Sequence, residues 1–219
     1  MRFVRVTLEA PASRFADVAT FYEEGLRLPL AGPLAFQLGE TELAFRPAGG
    51  EPFYHFAFLV PGGRFAAALE WAEARVAILR PGAFDFDFWD AHACYFHDPA
   101  GNIVELIAHQ GIAASEKTGP FRPTELVGVS EVGLVGDPPA LASALDDGLG
   151  LELWYGNVDG PGALAFVGEQ ARTFILAPVG RGWLPTGRPA EPHPVEAIIE
   201  GRANAELALD GLRVISRAR

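Results

Sequence analysis

The chain has 219 residues, 49% of them hydrophobic and 21% charged, a globular balance that excludes a disordered chain and allows one large core or two small ones. A formal net charge of −11 and a sequence pI near 4.9 weigh against nucleic acid or an anionic membrane as partner. One cysteine, Cys94, excludes an internal disulfide, and no run of about 18 uncharged apolar residues offers a membrane-spanning helix.

Along the chain, Val4, Val6 and Leu8 alternate with Arg5, Thr7 and Glu9, which predicts a half-buried strand. Pro11-Ala12-Ser13 ends it, with Ser13 placed to cap a helix. Phe15, Val18, Ala19 and Tyr22 then recur at helical spacing, and Gly25 can stop that helix. Short strands are expected near residues 35–38 and 42–46, joined through Gly39-Glu40, with room for another near 28–30. The order then repeats: a strand over 55–60, a turn at Pro61-Gly62-Gly63, a helix carrying Phe65, Ala68, Leu69 and Ala72, and strands near 84–88, 93–97 and 103–108. Residues 111–124 lose periodicity and gain Gly, Ser, Lys and Pro, which reads as a linker.

After the linker the pattern starts a third time. Ser130–Val135 is a strand, Asp137 and Pro138 open a helix with Leu141, Ala144 and Leu145 on its face, and Gly148 ends it. His193-Pro194-Val195 opens like His55-Phe56-Ala57. The fourth module is short: Gly201–Asn204 leaves little room for a helix, and 212–215 is the closing strand. The domain plan is therefore residues 1–110, two modules; 111–124, linker; and 125–219, a second and abbreviated unit.

The segment Tyr95-Phe96-His97-Asp98-Pro99-Ala100-Gly101-Asn102-Ile103-Val104-Glu105-Leu106 resembles the end of a vicinal oxygen chelate domain, the superfamily of glyoxalase, bleomycin resistance protein and extradiol dioxygenase. There an aromatic strand enters an Asp-Pro-x-Gly-Asn turn and a Glu follows on the exit strand. The likeness is good over residues 2–110 and weaker over 126–217, and it matches long two-unit bacterial proteins of unassigned activity. It implies an α+β fold in which paired βαβββ modules form curved mixed sheets around a cup for a small molecule. In metal-dependent relatives the cup holds a divalent ion; in the drug-sequestering ones it works without metal.

The resemblance also implies site residues. The ligand positions fall on Arg5, Glu42, His55 and Glu105. Arg5 departs from the pattern, because a guanidinium has no lone pair for a metal. Glu42, His55 and Glu105 remain as the expected ligands for Zn, Mn, Fe or Ni. Glu105 and Arg5 are the catalytic candidates, with Arg5 binding a substrate carboxylate or enolate oxygen. The same residues could instead form a metal-free cluster in which Arg5 pairs with Glu105 or Glu42. In the second unit Glu131 and His193 take the corresponding first-strand positions, but the closing position near Ile215 is no ligand, so no metal site is expected there.

Three functions follow: a metal-dependent lyase, isomerase or dioxygenase; a metal-free binder of small molecules; and an interaction scaffold whose charges pair off. No glycine-rich phosphate loop calls for an organic cofactor. A cytoplasmic monomer or homodimer is expected, since Met1–Arg5 lead into no apolar signal run. His92, His97 and His109 read as structural or solvent-facing, and Cys94 as an inert buried thiol. Phe53, Tyr54, Phe84, Phe86, Phe88 and Trp89 form an aromatic set, mostly core with a minority lining a pocket. The stretch from Arg181 to Pro194 is either a lid or a packed connection.

Overall fold

A computed structural model describes residues 1–160 and 162–219. Its modules follow the expected order. The first runs β1 (Arg2–Pro11), α1 (Phe15–Thr20), β2 (Leu30–Gly32), β3 (Ala35–Leu38) and β4 (Thr41–Ala48). The second runs β5 (His55–Leu59), α2 (Phe65–Glu73), β6 (Phe84–Phe86), β7 (Ala91–His97) and β8 (Ile103–His109). The third is β9 (Gly128–Gly136), α3 (Pro138–Leu149), β10 (Leu153–Asn157), β11 (Leu164–Glu169) and β12 (Arg172–Pro178). A small hairpin, β13 (Gly182–Trp183) and β14 (Arg188–Pro189), precedes the fourth module, which is β15 (Val195–Gly201), β16 (Ala205–Leu209) and β17 (Leu212–Ala218) with no helix between its strands.

These modules build two curved mixed sheets, and neither sheet comes from one half of the chain. The first and fourth modules form sheet A, in the order β16-β17-β15-β1-β4-β3-β2. The third and second form sheet B, in the order β10-β11-β12-β9-β5-β8-β7-β6. The junctions are the antiparallel pairs β1 with β15 and β9 with β5.

Each sheet turns an apolar face toward one shared core. Val6, Leu8, Leu43, Ala197, Ile199 and Val214 supply it from sheet A, and Phe56, Phe58, Val132, Phe174, Leu106 and Phe96 from sheet B. Phe3 meets Phe174 edge-on across the sheets at 5.1 Å. Each fully buried aliphatic or aromatic side chain contributes roughly 1.5–3 kcal/mol. The core face of β1 is carried by Phe3, Val6 and Leu8 rather than Val4, because the pairing with β15 slips between Phe3 and Arg5. A slip of one residue moves a side chain to the other face.

Local signals differ in places from their expected use. Ser13 and Asp137 make no side-chain cap bond, and the first helix continues through a wider π turn over Phe21–Gly25. The third helix ends one turn's fraction later than Gly148, at Gly150 in the left-handed conformation.

The opposite faces of the two sheets are unlike. On sheet A, Arg2 meets Glu200, Arg5 meets Glu42 at 3.3 Å, Arg46 meets Glu9 at 3.2 Å and Arg213 meets Glu206 at 2.9 Å. That face neutralises itself in solvent. On sheet B the corresponding face is a concave cup. No described helix is long and apolar enough to cross a membrane.

Candidate metal centre

The turn that carried the family resemblance sets the floor of the cup. Asp98 Oδ1 accepts from the Asn102 backbone N–H at 3.0 Å, and Asp98 Oδ2 accepts from Asn102 Nδ2 and from Tyr22 Oη, both at 2.7 Å. Gly101 takes φ +83°, where a side chain would be strained. Asn102 Oδ1 in turn accepts the Tyr54 N–H at 2.8 Å, and the Ile103 N–H donates to the Tyr54 carbonyl at 2.8 Å. These bonds lock β5 beside β8 in the register that pairs His55 with Ile103 and Ala57 with Glu105. On the other side of β5, Ala57 pairs with Glu131 of β9.

Residues paired across a sheet share a face. Thr173, Glu131, Ala57, Glu105 and Tyr95 therefore form one row across five strands, and His55 stands two residues along β5 on that same face. Ala57, with only a methyl, leaves room between the two acids. His55, Glu105 and Glu131 each present a ligand atom, and these atoms lie within 4.8 Å of one another. All three residues are buried.

Two buried acids and one imidazole set the electrostatics of this face. His55 Nε2 lies 3.4 Å from Glu105 Oε2. Its Nδ1 lies 3.2 Å from the Ile103 carbonyl, which can only accept, so Nδ1 donates there and Nε2 is the ring nitrogen turned toward the two acids. Burial, and then the charge of Glu105, push the Glu131 carboxyl well above the usual range. No arginine or lysine pairs with Glu105 or Glu131 among the described residues. Burial and the two nearby acids hold the Tyr95 phenol protonated far into alkali. The module repeat matches His55 with Glu131 and Glu105 with Ile175, so a fourth position is occupied by an apolar side chain.

Above this floor opens a cavity of about 570 Å³. Its walls include Phe86, Trp89, Tyr155 and Phe166, with Arg181 and Trp183 contributed by the hairpin. Trp183 is buried and lies 5.0 Å from the His55 ring. A Cβ at Gly133 would come within 3.1 Å of the Trp183 ring, so glycine at that step of β9 lets the hairpin settle on the cup. Arg188 anchors the far strand, donating to the Gly101 carbonyl at 3.0 Å and lying over the Phe53 ring. Of the two alternatives for the stretch from Arg181 onward, the hairpin thus lines and covers the cavity.

The structure brings His55 and Glu105 together and leaves Arg5 and Glu42 elsewhere. Those two are neighbours on the solvent face of sheet A, 44% and 28% exposed, paired to each other. Glu131, from the unit expected to hold no metal site, completes the cluster instead. The available signal was the one charged residue in the strand Val129–Val135, whose other residues are apolar save Ser130. His92 pairs with Asp85 at 2.7 Å away from the cup, and His97 lies by the turn, its Nδ1 3.1 Å from the Asn102 carbonyl. His109 is buried beside Trp89, with its pKa lowered by burial. His193 contacts Phe53 and Tyr54. Burial pushes the Cys94 thiol up to about 12. Of the aromatic set, Phe53 and Tyr54 are buried, while Phe86, Phe88 and Trp89 line the cavity.

No family model matches the chain, and no curated protein matches it by sequence. Solved structures do match. A candidate dioxygenase from Bacillus subtilis superposes with a TM-score of 0.59 over 100% of this chain and 86% of its own, at 15% identity. Glyoxalase I from Zea mays superposes with a TM-score of 0.55 over 99% of this chain and 92% of its own, at 13% identity. At such identities the likeness concerns the backbone alone, and it agrees with the four-module topology and the cup: the chain shares the fold of these two proteins.

Proposed function

We propose that the chain binds a divalent metal ion at His55, Glu105 and Glu131 and works, as a lyase, isomerase or dioxygenase, on a small oxygen-bearing molecule held in the cup of sheet B. One observation carries this: two carboxylates and an imidazole nitrogen are buried within 4.8 Å of one another. Two buried like charges are costly unless a cation stands between them. The donor set of one nitrogen and two carboxylate oxygens suits Zn, Mn, Fe or Ni and leaves coordination positions open. When bound, such an ion would supply Lewis acidity toward a ligand oxygen or support dioxygen chemistry.

The chain's own residues do the remaining work. The Ile103 carbonyl fixes the His55 ring and its tautomer. Ile175, at the fourth position, borders the cavity and has no ligand atom to offer. Tyr95, kept protonated beside Glu105, lines the cavity and can donate its hydroxyl to that acid or to a ligand oxygen. Trp183 and the aromatic walls exclude water and so strengthen each polar contact. Arg5 and Glu42 have no part in this site.

The test is metal content of protein purified without chelator. Near-stoichiometric metal is expected, lost in His55→Ala, Glu105→Gln and Glu131→Gln and retained in Glu42→Gln. A chain that holds no metal, takes up none of the four ions and still binds small molecules would favour the metal-free binder. Because both sheets are completed within one chain, a cytoplasmic monomer is proposed, with the homodimer as the alternative that sedimentation would reveal.

A further inference from the structure

We infer that the ligand of the cup is a monoanionic aryl compound, its ring held between the aromatic walls and its carboxylate paired with Arg181. This rests on the cup of sheet B being the binding site, as proposed above.

The first observation is the state of Arg181. It lines the same cavity as His55, Glu105 and Glu131. Its Nε is buried without a hydrogen-bond partner, and the single bond found for its guanidinium goes from Nη1 to the adjacent Gly182 carbonyl at 3.0 Å. No carboxylate lies within ion-pair distance of it among the described residues. The chain has 28 acidic residues against 17 basic ones, so acids are not scarce. On sheet A the arginines at 2, 5, 46 and 213 each meet a glutamate. A half-buried guanidinium left facing a cavity is an anion receptor whose partner comes from outside. Burial alone lowers the Arg181 pKa, a cost that an anionic ligand offsets.

Charge count sets the valence. A divalent ion balances the two carboxylates on the floor, which leaves one positive charge, that of Arg181. A single guanidinium with no lysine among the cavity-lining residues suits a carboxylate better than a dianionic phosphate.

The second observation is the shape and chemistry of the walls. Phe88 and Tyr155 stack at 5.3 Å and 13° at the mouth although they are 62% and 43% exposed. Behind them Trp89 meets Phe166 edge-on at 4.6 Å. Exposed aromatics gathered at one opening mark a contact surface for a planar apolar group. A volume of about 570 Å³ admits one or two fused rings with a polar substituent.

Calorimetric titration of the purified chain with 2-naphthoate, 2-naphthamide and 2-naphthylmethylamine tests this, on manganese-loaded and on chelator-treated protein whose metal content is measured separately. The acid should bind roughly ten-fold or more tightly than the amide, and the amine least. Arg181→Gln should abolish that preference while leaving amide binding and melting temperature unchanged, and Arg181→Lys should keep part of it. A preference that survives chelation supports the Arg181 site whatever the metal analysis gives. Metal-loaded protein that binds acid and amide equally overturns the inference and leaves the metal centre standing. Arg181→Gln weakening both probes alike, or no binding of any probe at millimolar concentration, overturns it too.

Discussion

Replacing Glu131 by glutamine should change how the metal-free chain responds to pH. The two carboxylates present oxygens within 4.8 Å of each other. At an effective dielectric constant of about 20, two full charges at that separation repel by about 3.5 kcal/mol. Glu131 therefore keeps its proton in the folded chain above its ordinary value of 4.5, in the direction that burial and Glu105 both impose. In the unfolded chain it loses that proton near the ordinary value. Between the two values the native state binds more protons, so stability is full at low pH and falls as pH rises, by at most about 1.4 kcal/mol per unit for one proton. Glutamine carries no such proton, so that slope should be missing from Glu131→Gln, offset at all pH by about 1 kcal/mol for an unbonded amide. Urea unfolding in chelator at several pH values between 5 and 9, followed by tryptophan fluorescence, reads both curves. Parallel slopes for the two proteins would refute the coupling of buried acids on which the metal centre is built.

Metal should add stability. An ion present at about 100 times its Kd stabilises by about 2.7 kcal/mol, or roughly 5–10 °C in Tm for a chain of this size, and only where His55, Glu105 and Glu131 are all intact. Trp183→Ala should cost about 3 kcal/mol and expose the His55 ring, seen as faster metal loss to chelator in stopped flow. Asp98→Ala leaves Tyr22 and Asn102 without their acceptor and should lower unfolding free energy by roughly 3 kcal/mol. Arg5→Ala should shift stability by less than about 1 kcal/mol and leave metal content untouched, because its partner Glu42 is a surface pair.

What the sequence alone determined is local. Alternation along each strand put His55 in step with Ala57, and Glu105 in step with Ile103 and Ile107, so each would face a single side of its sheet. The Asp98–Asn102 turn specified the hairpin between β7 and β8, and the repeating order of strands and helices gave the modules. Which modules share a sheet was decided only by tertiary structure. A strand's parity is fixed by its own residues, but its neighbours are chosen by burying apolar faces and closing backbone hydrogen bonds between segments far apart in the chain. That choice set β9 against β5, so Glu131 reached His55 and Glu105. It set β1 between β4 and β15, so Glu42 met Arg5 in solvent.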